Sequence, residues 1–146
     1  QELTDLLWER ISDQFRAFVG LTAFEALCRE WTLVQARSRR LPMTPELVGS
    51  HWSADAQVDV VAINWLERAI LLGECKWGAE PTDRAVVREL IEKAPKVAPG
   101  PEWRVHYAFF ARAGFTDAAR AEAETVGGLL VDLTRLDTDL RAALSA

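Results

Sequence analysis

Cysteine and histidine are nearly missing from this sequence, with two of each in 146 residues. Cys28 and Cys75 have neither the number nor the spacing of a disulfide framework or a zinc cluster. Cys75 lies inside an apolar run, so both thiols are expected to be reduced and buried. A cysteine nucleophile is not indicated, because neither His51 nor His106 is placed by sequence to activate one. No apolar stretch approaches the roughly 18 residues that span a bilayer, and no basic start leads into a hydrophobic signal segment. A cytoplasmic protein with no membrane partner is therefore expected. A glycine-rich phosphate loop of the G-x-x-x-x-G-K-S/T kind is also missing, so any ATP binding belongs to a different domain. Positive charge is not in excess: 17 basic against 22 acidic side chains give −5. That balance weighs against a DNA role without excluding it.

What is present is a chain with 49% hydrophobic residues, enough for one core and too short for two ordinary domains. It begins at Gln1 in a segment that already reads as helix, which predicts a domain cut from a longer protein. Helical periodicity covers residues 3–37, with a break expected near Val19 and Gly20 because glycine weakens helices. Residues 1–20 are read as a helical lead-in and residues 21–146 as a single globular domain. Phe24, Leu27, Cys28, Trp31 and Val34 form the apolar stripe of the second half, with Glu25 on its border. "RSRRLPMTP" then ends the helix.

Beyond it the period changes. "ELVGSHWS", "AQVDVVAIN" and "RAILLGECKW" read as three strands, two of them apolar on both faces as central strands are. Pro81-Thr82 offers a helix start, and Val86, Val87, Leu90, Ile91 and Ala94 make its apolar face. "WRVHYAFF" is the next strand, with Trp103, Val105, Tyr107 and Phe109 on one side. Thr116 can cap an alanine-rich helix that stops at Gly127-Gly128, followed by the strand "LLVDL" and a last helix carrying Leu136, Leu140 and Ala143. The order predicts an α/β fold with a mixed sheet between helices.

Charge inside the buried strands is the informative anomaly. Asp59 interrupts "VDVVAI", and Glu74 and Lys76 interrupt "LLGECKW". An unpaired ion in such a place costs several kcal/mol, so the three need a common explanation. A hairpin turning at "NWLE" with an even loop puts Asp59 opposite Glu74 or diagonal to it, and Lys76 shares the face by the period of two. Two facing carboxylates repel, and a hard divalent cation relieves the repulsion. The set predicts a magnesium-type site, with Lys76 orienting water and neutralising charge on a phosphate. A buried Asp59–Lys76 salt bridge with Glu74 as a bystander is the competing reading. By chance E-x-K arises about once in a few hundred positions, so the tripeptide alone decides nothing.

Together these segments resemble a known family. A glutamate on a helix, a strand, then "VD" at Val58-Asp59 and "ECK" at Glu74 to Lys76 on a hairpin, followed by a helix and a strand, is similar to the PD-(D/E)XK nuclease superfamily. More narrowly, "FEALCREW", "VGSHW", "VDVVAIN" and "LLGECKWG" resemble a nuclease-like domain of unknown function at the C-terminus of prokaryotic and archaeal AAA-type ATPases. The likeness covers residues 21–133. It implies a restriction-endonuclease-like core of order α-β-β-β-α-β with extra N- and C-terminal helices. It also implies Asp59, Glu74 and the Cys75 carbonyl as ligands of Mg2+ or Mn2+, Lys76 as catalytic lysine, and Glu25 completing the site from the helix. Val58 departs from the proline of the superfamily name, at a position whose side chain is no ligand.

Other residues keep two readings. His51 can approach the site or serve as a hydrogen-bonded structural residue. Arg37, Arg39 and Arg40, and Arg84 and Arg88 one turn apart, can grip phosphates or be solvated surface charge. Trp31 and Trp103 fall at core positions, whereas Trp52 and Trp77 sit at strand ends, where they can stack bases or pack. The leading expectation is a metal-dependent DNA endonuclease, on branched or single-stranded DNA among other forms, attached to an ATPase domain. The alternative is a catalytically silent, nuclease-like docking or regulatory module of that ATPase. A homodimer formed through the apolar helices is a third option.

Overall fold

The computed structural model describes the backbone of residues 2–145 and the side chains of residues 19–145. Helix α1 (Glu2–Arg37) leads into three antiparallel strands, β1 (Leu47–Trp52), β2 (Gln57–Asn64) and β3 (Ala69–Lys76). Helix α2 (Arg84–Val97) crosses to β4 (Arg104–Ala111), parallel to β3, and α3 (Asp117–Glu124) crosses to β5 (Leu129–Asp132), parallel to β4. Helix α4 (Leu133–Ser145) closes the chain. The sheet runs in the order β1-β2-β3-β4-β5 and is mixed, as the alternation of periods predicts. No helix among the described residues is long and apolar enough to cross a membrane.

Each face of the sheet has its own core. Phe24, Cys28 and Trp31 of α1 and Leu136 of α4 cover Val60, Ala62, Leu71, Cys75 and Phe110 on one side. Val87, Leu90 and Ala94 of α2 and Ala119 and Ala123 of α3 cover Val58, Ile70, Leu72 and Phe109 on the other. Trp103, Val105 and Tyr107 pack against that second core, on the side expected from their alternation. Burying one such large apolar side chain contributes about 1.5–3 kcal/mol, so the spacing of α1 and α2 fixes where each helix lies. The expected Thr116 cap forms, its Oγ1 accepting from Ala119 N ahead of α3, whereas α2 starts later than Pro81-Thr82, at Arg84, with Asp83 as its cap accepting from Arg84 N. Helix α3 ends at Glu124, earlier than expected, and Gly127 then takes a positive φ of 61°.

Two departures matter for the site. The break expected at Gly20 is absent, and α1 runs through it. One glycine costs a helix only about 1 kcal/mol relative to alanine. Its missing side chain serves packing: a Cβ there would collide with Nε1 of Trp77. The second departure is in β2. Gly49 pairs with Val61 and His51 with Val58, so two steps on β1 span three on β2, the mark of a β-bulge. The side chains agree, because Val58 shares a core with Val61 and Ile63 rather than with Val60 and Ala62. Asp59 lies inside the bulge.

Candidate active site

The β2–β3 hairpin turns through residues 65–68, one position later than expected and still with an even loop, since Asn64 pairs with Ala69. The ladder continues to Val60 opposite Gly73 and stops there. Its next rung would be Asp59 opposite Glu74, and that rung is not formed. Asp59 stitches the gap with its side chain: Oδ2 accepts a 2.8 Å hydrogen bond from Cys75 N, and Arg29 Nη1 of α1 donates to the Asp59 carbonyl at 3.3 Å. Asp59 is only 8% exposed.

Asp59 and Glu74 line one cavity of about 360 Å³, together with Asp55, Gln57, Glu89 and Lys93. Lys76 Nζ lies 3.9 Å from Glu74 Oε1, and Lys93 Nζ lies 3.2 Å from Oε2. Lys93 is thus an ion-pair partner of Oε2, which is buried and has no further hydrogen-bond partner. Burial first, and the Asp59 charge second, hold the Glu74 carboxyl above its ordinary range, with Lys93 and Lys76 pulling it back. Glu25 on α1 is raised by the same two causes in the same order, against the pull of Arg29. Its coupling to Asp59 puts it in the neighbourhood, yet it does not line this cavity. Among the described residues no three His, Cys, Asp or Glu side chains converge closely enough to hold a metal ion.

The sequence-predicted residues therefore divide. Asp59, Glu74 and Lys76 come together, with Glu25 nearby. Cys75 turns its thiol into the core beside Cys28, and a hydrogen bond to Cys28 together with burial pushes that thiol far above the ordinary range. A thiol held protonated in this way is a poor nucleophile. His51 Nε2 lies 3.3 Å from Ser53 Oγ, a local structural contact. Arg37 ends α1 some three turns beyond Glu25, about 18 Å along the helix axis, and lines a hollow with Pro45 and Leu47 at the opposite end of the sheet. Arg39, in the left-handed region at φ 55°, and Arg40 follow it there. Arg84 opens α2, and Arg88 is bound to Glu122 of α3 at 2.6 Å. Trp52 is 80% exposed, whereas Trp77 packs against Phe24 and under Arg112.

Lys93 and Glu89 escaped the sequence reading. A signal existed for Lys93: it stands three residues after Leu90 and next to Ala94, on the stripe that turns toward the sheet.

A family model, DUF234, matches residues 1–89 and is described as "Archaea bacterial proteins of unknown function". The chain belongs to this family. The DUF234 match spans α1 to the start of α2, and so contains Glu25, Asp59, Glu74, Lys76 and Glu89, but not Lys93. No curated protein matches the chain. The fold is similar to the crystal structure of a repair endonuclease from Pyrococcus abyssi, with a TM-score of 0.50 and 16% identity over 73% of this chain and 46% of that chain. This DUF234 chain thus has a nuclease-like fold and spans less than half of that neighbour.

Proposed function

We propose that this chain is a PD-(D/E)XK-type endonuclease domain that hydrolyses DNA phosphodiester bonds with Mg2+ or Mn2+. The observation that carries the reading is the meeting of Asp59 and Glu74 on one cavity where β2 and β3 part, with two lysines beside Glu74. The residues suit a hard cation: the Glu74 carboxyl is buried, repelled by Asp59, and has an oxygen without a hydrogen bond. Asp59, Glu74 and the Cys75 carbonyl would hold the ion, with Glu25 adding negative field from α1. A bound ion would polarise a phosphate and acidify a water.

The chain's own groups do the rest. Asp59 pins the end of β3 through the Cys75 N–H, so the two carboxylates keep their spacing. The Lys76 ammonium, 44% exposed on its side chain, is free to neutralise charge growing on a phosphate oxygen and to orient a water. Lys93, largely buried, holds Glu74 in place from α2. The DNA expected as substrate, in branched, single-stranded or duplex form, accords with the repair endonuclease named above. The attached ATPase rests on the sequence resemblance alone, and would recruit or regulate the domain.

The test is cleavage of branched, single-stranded and duplex DNA in magnesium and in manganese. Cutting by the wild type and loss in Lys76→Ala and Asp59→Ala are expected; cutting that survives both changes would belong to a contaminant and end the assignment. A second reading has one observation in its favour. Lys93 already sets a cation 3.2 Å from Glu74, as a silent docking module would use in place of metal. Isothermal titration with manganese separates the two: heat that vanishes in Asp59→Ala and Glu74→Gln excludes the silent module, and no heat from the wild type favours it.

A further inference from the structure

Lys76 stands between two cavities, lining one and reaching toward Glu74 in the wall of the other. Besides approaching Glu74, it lines an open hollow of about 590 Å³ at the end of β3, with Trp77, Gly78, Ala79 and Arg112 among its walls. The two hollows have opposite character. The first carries Asp55, Asp59, Glu74 and Glu89 against one lysine, whereas the second, among the described residues, carries two cations and no acid. The sequence left Trp77 with two readings, and its surroundings now bear on the choice.

Its indole is fixed from three sides. Phe24 lies 5.2 Å away at a 43° tilt, Gly20 lets α1 come close, and the Arg112 guanidinium sits 4.5 Å over the ring centroid. The Arg112 backbone N–H donates to the Lys76 carbonyl at 2.9 Å, and the guanidinium is held over the ring by one long hydrogen bond, from Nη1 to the Trp77 carbonyl at 3.4 Å. It has no carboxylate partner within ion-pair distance among the described residues, unlike Arg88 or Arg141. A guanidinium layered on an indole offers both charge and a flat surface, and one already held in place loses little freedom when it binds. The mouth stays open because Gly78 and Ala79 carry little: a Cβ on Gly78 would meet nothing.

We propose that this hollow is a nucleotide subsite for an unpaired DNA strand. One nucleotide lies in it, its phosphate against Lys76 and Arg112 and its base against the Arg112–Trp77 stack, while the neighbouring phosphodiester reaches Asp59 and Glu74. Duplex bases have their faces closed by stacking, so only a splayed base can use such a wall. The link to cleavage rests on the nuclease reading; the binding does not.

The experiment measures fluorescence anisotropy of a labelled single-stranded oligodeoxynucleotide and of its duplex, in EDTA so that nothing is cut. The proteins are wild type, Arg112→Ala, Arg112→Lys, Ala79→Trp and the control Arg141→Ala. Single-strand affinity is expected to fall about tenfold in Arg112→Ala, to recover only in part in Arg112→Lys, and to fall similarly in Ala79→Trp, which fills the hollow without changing charge. Duplex affinity is expected to move less than twofold, and Arg141→Ala to match wild type. No single-strand binding by wild type, equal losses for Arg112→Ala and Arg141→Ala, or equal losses on both DNA forms would overturn the subsite. Cleavage in manganese keeps the two ideas apart. Wild type that cuts with an Arg112→Ala variant of unchanged KM leaves the nuclease standing and removes the subsite. A wild type that never cuts, beside a selective single-strand loss in Arg112→Ala, does the reverse.

Discussion

The two ends of the β2–β3 hairpin both bury polar side chains and treat them oppositely. At the turn, Asn64 is 8% exposed and fully used: Nδ2 donates to the Thr44 carbonyl at 2.7 Å, and Oδ1 accepts from Glu67 N at 2.9 Å. The ladder beside it is regular. At the far end the ladder stops, a bulge re-aims the strand, and Glu74 keeps a buried oxygen with no hydrogen bond. A buried polar group that serves structure alone is satisfied where it stands. One that keeps spare capacity among like charges lowers stability, and such an arrangement marks a place where a ligand is expected.

The strongest way to break this comparison is to disarm the frayed end. Asp59→Ala is expected to lower DNA cleavage on the order of a thousandfold, measured by single-turnover assay, while circular dichroism still reports the native fold. Asn64→Ala should do the reverse. Leaving two backbone groups without partners costs about 1–3 kcal/mol, a fall in Tm of roughly 3–10 °C for a domain of this size, with cleavage unchanged below the transition. Equal effects of the two substitutions on activity would erase the distinction between the ends.

Lys93→Met sharpens it. Without that ammonium the buried Glu74 charge loses its nearest partner, so metal-free protein should melt several degrees lower at pH 7, and manganese should restore the loss. Glu74→Gln has a smaller effect of opposite sign. Because folding raises the Glu74 carboxyl, the folded chain holds that proton more tightly than the unfolded one. The contribution of this group to stability is then largest at low pH and declines as pH rises from about 4.5, its ordinary value, through the raised one. Glu74→Gln should flatten that decline and raise Tm at pH 7 by about 2–4 °C in metal-free protein, read from melting curves at a series of pH values. Smallest of all, Arg37→Ala should change DNA affinity less than twofold, since Arg37 sits at the other end of the sheet.

Much of this was legible in single residues. Strand alternation in "WRVHYAFF" placed Trp103, Val105, Tyr107 and Phe109 on one face, and charge inside "VDVVAI" and "LLGECKW" singled out Asp59, Glu74 and Lys76. Gly20 misled, because glycine in a helix signals weakness and close approach alike, and only the position of Trp77 tells which applies. A strict period of two sets Asp59 on a rung with Glu74, whereas the register shift between β1 and β2 falls at Asp59 and the β2–β3 ladder ends before it.

From its sequence alone the chain set the order of helices and strands, the apolar face of each, and the presence of acid and amine where a sheet should be dry. Such patterns arise within a few residues of backbone, where spacing dictates direction. The pairing of Lys93 with Glu74, the Cys75 N–H on Asp59, and the seating of Arg112 over Trp77 depended on how the crossovers brought separate elements together. An ion pair or a stacked ring is a matter of a few ångströms across the fold, and only packing sets that distance.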